Sequence, residues 1–126
     1  MRMTMLVAAT MGAGLAMAIG TPARAQDAVA GKAMFKSQCR TFHSLSAGKN
    51  LVGPSLYGVY RQKSGQVAGF HFTDANKNSG LVWDTPTLDR YLTSPRDVIP
   101  KTIMTYGGLK DTTKRTDLIA YLASLH

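Results

Sequence analysis

The chain of 126 residues contains one cysteine, Cys39, and no glutamate. A single cysteine cannot form a disulfide within the chain, although small exported domains are often stabilised by several such bonds. No segment alternates apolar and polar residues convincingly enough to predict a strand, and there is no internal repeat or low-complexity linker. These absences exclude a disulfide-stabilised domain and a repeat protein, and a small domain of this kind needs another source of stability.

The first residues have the pattern of a secretory signal peptide. Arg2 gives a positive start, residues 5–20 are apolar and small, and Ala23-Arg24-Ala25 fits a small-residue cleavage site. The apolar run is shorter than the roughly 20 residues that a membrane-spanning helix needs, although an uncleaved signal acting as an anchor is the alternative. We predict a signal peptide at 1–25, a periplasmic or otherwise exported protein, and one domain at 26–126.

The predicted domain is basic, with 13 Lys and Arg against seven Asp and a formal net charge of +6. The cationic residues are scattered along the sequence, and an exported protein seldom meets nucleic acid, so we predict no nucleic-acid binding. Scattered lysines suit transient encounters with an acidic protein surface. The alternative is that the charge serves solubility alone.

Hydrophobic spacing predicts a helical domain with long loops. Residues 41–72 are expected to be mainly loop, because five glycines and Pro54 interrupt them. Loops of this length are uncommon in a compact domain unless they serve a function, and an apolar ligand would supply the core that they lack. Helices are predicted at residues 27–38 and 112–125, with a short helix at 73–78. Another helix is predicted to start at residue 84 or 85 and to be closed off by Pro95 and Pro100.

Cys39 and His43 belong to a string that differs at one position from Cys-x-x-Cys-His, the string of covalent haem attachment. In that string two thiols bond to the haem vinyl groups and the histidine ligates the iron. Here Phe42 occupies the place of the second cysteine. Two other interpretations remain at this point: Cys39 and His43 form a thiolate and base pair, or Cys39 forms an intermolecular disulfide.

The predicted domain offers two methionines as soft metal ligands, Met34 and Met104. Met34 lies on the apolar face of the first predicted helix. Met104 lies in a predicted loop between Pro100 and Gly107, where a thioether can be presented to a metal. Without other observations a loop methionine is more often a packing residue.

Six segments in order resemble the class I cytochromes c of the mitochondrial type, over nearly all of residues 26–126. The resemblance implies an all-α cytochrome c fold, in which the N- and C-terminal helices cross and loops wrap one haem c. It also implies a monomeric single-electron carrier, not an enzyme, that docks on acidic faces of membrane redox complexes or periplasmic redox enzymes. The segments are Gly31-Lys-Ala-Met-Phe35, Gly53-Pro-Ser-Leu56, Thr73-Asp-Ala-Asn-Lys-Asn78, Leu81-Val-Trp83, Thr87-Leu-Asp-Arg-Tyr91 and Asp117-Leu-Ile-Ala-Tyr-Leu122.

The resemblance implies a role for each residue of the site. His43 resembles the proximal iron ligand, held by the backbone carbonyl of Pro54, and Met104 resembles the distal ligand. Cys39 would form one thioether. The remaining positions are Trp83 as an indole donor to a haem propionate, Thr73, Asn76 and Thr102 in the same polar network, and Tyr91 with its hydroxyl near the methionine sulfur. Gly31 and Phe35 would pack on Leu118 and Tyr121.

Several positions depart from the family pattern close to the expected haem. Besides Phe42, they are Arg61 and Gln62 in place of Gly-Arg, Phe72 in place of tyrosine, Lys101 in place of glycine, and Ile103 in place of lysine. One interpretation is retained haem with a single thioether. The others are a decayed, haem-free or non-covalently haem-binding relative, and a weak haem peroxidase. We favour retained haem, because both predicted iron ligands are present.

Overall fold

The computed structural model describes residues 26–126, so the predicted signal peptide lies outside the described residues. The order of elements is α1 Ala28–Gln38, α2 Asp74–Lys77, α3 Thr85–Thr93, α4 Pro95–Val98 and α5 Thr112–Ala123. Residues 26–126 contain no β-strand, only an isolated antiparallel bridge between Lys63 and Val82. The predicted all-α class is confirmed. No helix in this range is long and apolar enough to cross a membrane.

The three long helices begin at aspartates that accept hydrogen bonds from the first turn. Asp27 accepts from the N–H groups of Val29 and Ala30, Asp84 from Thr87, and Asp111 from Lys114. Such caps satisfy backbone donors that have no partner inside the helix. The predicted starts of these helices are therefore confirmed. The predicted end of α1 at Gln38 is also confirmed, whereas α5 ends two residues early, at Ala123, and residues 73 and 78 are the caps of α2.

Pro95 begins a helix that the sequence analysis did not predict. We expected Pro95 only to end the preceding helix, but α3 ends at Thr93 and α4 starts at Pro95. Proline is tolerated at the first position of a helix, because the N–H group that it lacks would have no partner there. The same residue therefore separates two helices instead of closing one.

The core forms where α1 crosses α5. Gly31 lies so close to α5 that an added Cβ would be 1.9 Å from the carbonyl oxygen of Asp117. The rings of Phe35 and Tyr121 are 6.1 Å apart, and Leu118 is 1% exposed. The predicted crossing of the terminal helices is confirmed. The buried core consists of Phe35, Leu88, Leu92, Leu109, Leu118, Ile119 and Leu122.

Arg115 is a buried cation that joins α5 to α3 and to the segment before α5. Its Nε donates to Oδ1 of Asp89 at 2.6 Å, and one terminal nitrogen donates to the carbonyl of Leu109 at 3.0 Å. A buried charge is tolerated only when it is paired and hydrogen-bonded in this way. Arg115 thus fixes the end of the loop that carries Met104.

Arg61 has a left-handed backbone conformation, with φ of 67°, at the position where the family pattern has glycine. A side chain in this conformation crowds its own backbone, whereas Lys101 does not have a positive φ and is not strained in this way. We expect Arg61→Gly to raise the free energy of unfolding by about 0.5–1 kcal/mol, because relief of this strain exceeds the added flexibility of the unfolded chain. Urea titration measures the change. Gln62→Gly is the control and should lower stability, and a loss in both variants would contradict the assignment of strain.

Candidate functional site

The segment from Cys39 to His43 continues the end of α1 as a tight turn. Cys39 is the C-cap residue of α1, and its carbonyl accepts the N–H groups of Phe42 and His43, both at 3.0 Å. Residues four apart in such a turn lie on one side of it. The Cys39 sulfur and the His43 ring are therefore presented to the same region from one short segment.

The His43 imidazole is fixed by the glycine-rich loop that follows it. Its Nδ1 lies 2.8 Å from the carbonyl oxygen of Pro54, which can only accept, so Nδ1 carries the hydrogen and Nε2 keeps a free lone pair. Gly53 makes this approach possible, because a Cβ there would lie 2.4 Å from Cε1 of the ring. Burial lowers the pKa of His43, although the Pro54 contact opposes this effect. The imidazole is therefore neutral, oriented and able to donate to a metal through Nε2.

Met104 is positioned by two hydroxyl groups. The backbone N–H of Met104 donates to Oγ1 of the buried Thr102 at 3.2 Å, and the Tyr91 hydroxyl lies 3.9 Å from the Met104 sulfur. Burial raises the pKa of Tyr91, while its hydrogen bond with Thr102 acts in the opposite direction. The phenol therefore stays protonated at neutral pH and can donate to the thioether.

Tyr106, which was not predicted from the sequence, links the segment that carries Met104 to the segment that carries Cys39 and His43. The Tyr106 hydroxyl donates to Oε1 of Gln38 at 2.6 Å, joining the segment of Met104 to the end of α1. Burial, and to a lesser degree Cys39, raise the pKa of Tyr106. No sequence signal marked this residue, because a tyrosine in a loop is usually interpreted as surface or packing.

The other predicted residues form two groups. Trp83 packs on Tyr91, with ring centroids 4.8 Å apart, and Tyr91 in turn reaches the Met104 sulfur. Thr73 and Asn76 lie together at α2, where Thr73 caps the helix and Oδ1 of Asn76 accepts from Ser64 at 3.3 Å. Ser64, which is 5% exposed, was also missed, since a loop serine is usually solvated.

Cys39 does not have the properties of a reactive thiol. Burial raises the pKa of its thiol to about 11, so almost none of it is thiolate at neutral pH. The arrangement therefore does not favour a thiolate and base pair, and it slows formation of an intermolecular disulfide for the same reason.

The donor atoms of the site fit haem iron. One neutral imidazole nitrogen and one thioether sulfur are the protein ligands of iron in the His/Met electron-transfer haem sites. A metal ion without a porphyrin would need several protein ligands close together. Within residues 26–126 no group of three or more His, Cys, Asp or Glu could hold a metal ion. The residues present therefore suit a porphyrin, which supplies four ligands of its own.

No protein-family model matches the chain, but individual known proteins do. The chain is 53% identical over 87 residues to a cytochrome c2 iso-2 of Magnetospirillum fulvum, covering 69% of this chain and 91% of that protein. Over 102 residues it is 47% identical to a cytochrome c2 of Blastochloris viridis, covering 80% of each chain.

The solved structure of cytochrome cH from Methylobacterium extorquens matches the fold with a TM-score of 0.73 and 41% sequence identity. The match covers 78% of this chain and 98% of that one. The predicted cytochrome c fold and the predicted cofactor, haem c with its iron, are confirmed. The chain therefore belongs to the class I cytochrome c family of haem-based electron carriers.

Proposed function

We propose that this protein is an exported single-electron carrier whose haem c is attached by one thioether from Cys39 and ligated by His43 and Met104. The observation that carries the proposal is the pairing of an oriented imidazole, bonded to Pro54 at 2.8 Å, with a loop thioether 3.9 Å from a tyrosine hydroxyl. When bound, the haem iron supplies a one-electron couple. The protein residues then hold the two ligands in place during electron transfer.

His43 and Met104 differ in what they contribute. The Pro54 carbonyl keeps the His43 ring in one tautomer and increases the basicity of Nε2. The Met104 thioether favours the reduced state and raises the reduction potential relative to a second imidazole. The Tyr91 hydroxyl next to the sulfur restricts which way its lone pairs point. Because His43 and Met104 would both be held as iron ligands by protein contacts, we propose a carrier and not a peroxidase.

The polar groups proposed to face the haem carboxylates are Trp83, Thr73, Asn76 and Thr102. Because Oδ1 of Asn76 accepts from Ser64, its Nδ2 is the group left to donate to a carboxylate. Two hydrogen-bond donors of the family pattern are replaced: Gln62 stands in place of the arginine and Phe72 in place of the tyrosine. The Arg61 guanidinium lies over the Tyr60 ring at 5.6 Å, and Phe72 packs edge-on against Phe70 at 4.8 Å. We propose that the haem carboxylates are consequently less compensated than the family pattern provides.

Phe42 accounts for the single attachment. Its side chain is 46% exposed, and its N–H is held by the Cys39 carbonyl as part of the same turn. We propose that Phe42 packs beside the haem vinyl group that has no thiol partner. The alternative is a haem-free or non-covalently haem-binding protein, and haem extraction distinguishes these outcomes.

The proposed setting is the periplasm or another exported compartment, following the predicted signal peptide at 1–25. The basic domain is proposed to act as a monomer that docks transiently on acidic faces of membrane redox complexes or periplasmic redox enzymes. It is not proposed to bind nucleic acid. The encounter should weaken as ionic strength rises.

Replacement of Met104 tests the proposed ligation. In Met104→Ala we expect the reduction potential to fall by about 100 mV or more, within the ~0.8 V range that axial ligands span. Peroxidase activity should rise, because one axial position is opened. Redox titration and a peroxidase assay measure these changes. Met34→Leu is the control and should match the wild type, and an unchanged potential in Met104→Ala would contradict ligation by this sulfur.

A further inference from the structure

A cavity of about 320 Å³ opens beside α1 and α5, on a part of the domain that includes none of the segment around Met104. It shares only His43 with the donor set of the site described above. Its volume lies at the lower end of the range for small-molecule sites, roughly 300–1,000 Å³. The cavity therefore has room for a small ligand, and of the two proposed iron ligands only His43 lines it.

Four cationic side chains line this cavity. Lys32 and Lys36 lie one turn apart on α1, Arg40 follows one turn later, and Lys49 comes from the next loop. The turn that carries Arg40 is held by a hydrogen bond of 3.0 Å from its N–H to the Phe35 carbonyl. Like charges at this spacing repel one another.

Within the described part of the chain, the cations of the cavity have no carboxylate partner. Over residues 26–126 none of the four takes part in an ion pair, and no Asp lines the cavity. The nearest acidic residue along α5, Asp117, is buried and accepts the N–H of Asp27. An anion bound in the cavity would therefore relieve repulsion that the protein itself does not neutralise.

An aromatic wall stands next to these charges. Phe35 and Tyr121 both line the cavity, with ring centroids 6.1 Å apart and planes tilted by 56°. Phe35 is only 3% exposed and supports Tyr121 from behind, so the accessible part of this wall is Tyr121, which is half-buried. Flat apolar groups bind well against such rings. The ligand that matches both features has a charged end and a flat apolar end.

We propose that this cavity binds a small organic phosphate that carries a planar ring, of the class of nucleoside monophosphates. The phosphate dianion contacts the cations of α1 and Lys49, and the ring lies against the exposed part of Tyr121. Two negative charges match the clustered cations better than one carboxylate does. The proposal does not require iron ligation, although His43, one of the proposed iron ligands, lines the cavity.

The test uses the full protein with its haem in the reduced state, at low ionic strength, titrated with adenosine monophosphate and separately with inorganic phosphate. Amide NMR shifts should change at residues 32–51 and around Tyr121. The double variant Lys32→Gln/Lys36→Gln should raise the Kd for adenosine monophosphate about tenfold or more, because two charge-assisted hydrogen bonds are lost. The control Lys63→Gln/Lys114→Gln removes the same charge from exposed positions outside the cavity and should change the Kd less than about twofold.

Two results support the proposal: loss of affinity confined to the cavity variant, and tighter binding of adenosine monophosphate than of inorganic phosphate. Equal losses in both double variants would overturn it, because they would show a response to net charge alone. Binding of inorganic phosphate, or of vesicles containing phosphatidic acid, as tightly as adenosine monophosphate would overturn the role of the aromatic wall. Shift changes outside the cavity would overturn the location.

Discussion

Gly31→Ala is expected to lower the free energy of unfolding by about 2 kcal/mol. The added Cβ would lie 1.9 Å from the carbonyl oxygen of Asp117 and 2.8 Å from Cβ of Tyr121. Both atoms are at or near the α5 backbone, so α1 and α5 must separate, which costs about 3 kcal/mol or more. The higher helix propensity of alanine than of glycine offsets about 1 kcal/mol of this destabilisation.

Urea titration followed by circular dichroism measures the change produced by Gly31→Ala. Gly107→Ala is the matched control, because nothing lies within 4 Å of its added Cβ and its φ is not positive. That control should stay within about 0.5 kcal/mol of the wild type. Equal stability of the two variants would show that α1 and α5 do not approach closely at Gly31.

Cys39→Ser is expected to release all haem into acidified acetone, whereas the wild-type protein retains it. Cys39 is the only thiol in the chain, so its removal leaves only the bonds to iron, which acid breaks. Phe42→Cys should retain haem, because residue 42 lies in the same turn as Cys39 and a thiol there reaches the second vinyl group. Its pyridine haemochrome α band should shift from an intermediate position to that of doubly linked haem.

Phe42→Leu is the control for this series and should resemble the wild type in both extraction and spectrum. Extractable haem in the wild type would mean non-covalent binding, and a wild-type protein without haem would contradict the carrier proposal. An unshifted α band in Phe42→Cys would mean that residue 42 does not reach the haem. These outcomes separate the single thioether from the other interpretations of the motif.

The sequence predicted the parts of the fold that depend on local chemistry. Asp27, Asp84 and Asp111 marked helix starts correctly, because capping involves only the next three residues. The contact of His43 with Pro54, which the family resemblance implied, is present at 2.8 Å. The role of each site residue toward haem stays a proposal.

Features that depend on distant contacts could not be predicted. The hydrogen bond from Tyr106 to Gln38 crosses 68 positions, and neither residue carries a motif. The cationic residues that are scattered in the sequence meet around one cavity, because the loop after His43 brings Lys49 to α1. The start of α4 at Pro95 also depends on neighbours, since the same residue type ends helices elsewhere.

The span of the Tyr106 to Gln38 hydrogen bond has a consequence for the order of folding. The contact of His43 with Pro54 closes a loop of 11 positions, whereas Tyr106 with Gln38 closes one of 68. The longer closure costs about 1.6 kcal/mol more in chain entropy, because each doubling of loop length adds about 0.6 kcal/mol. Contacts between near neighbours form earlier. We expect His43 to be oriented while the Met104 segment is still unattached, so that a nascent chain acquires its histidine ligand before its sulfur ligand.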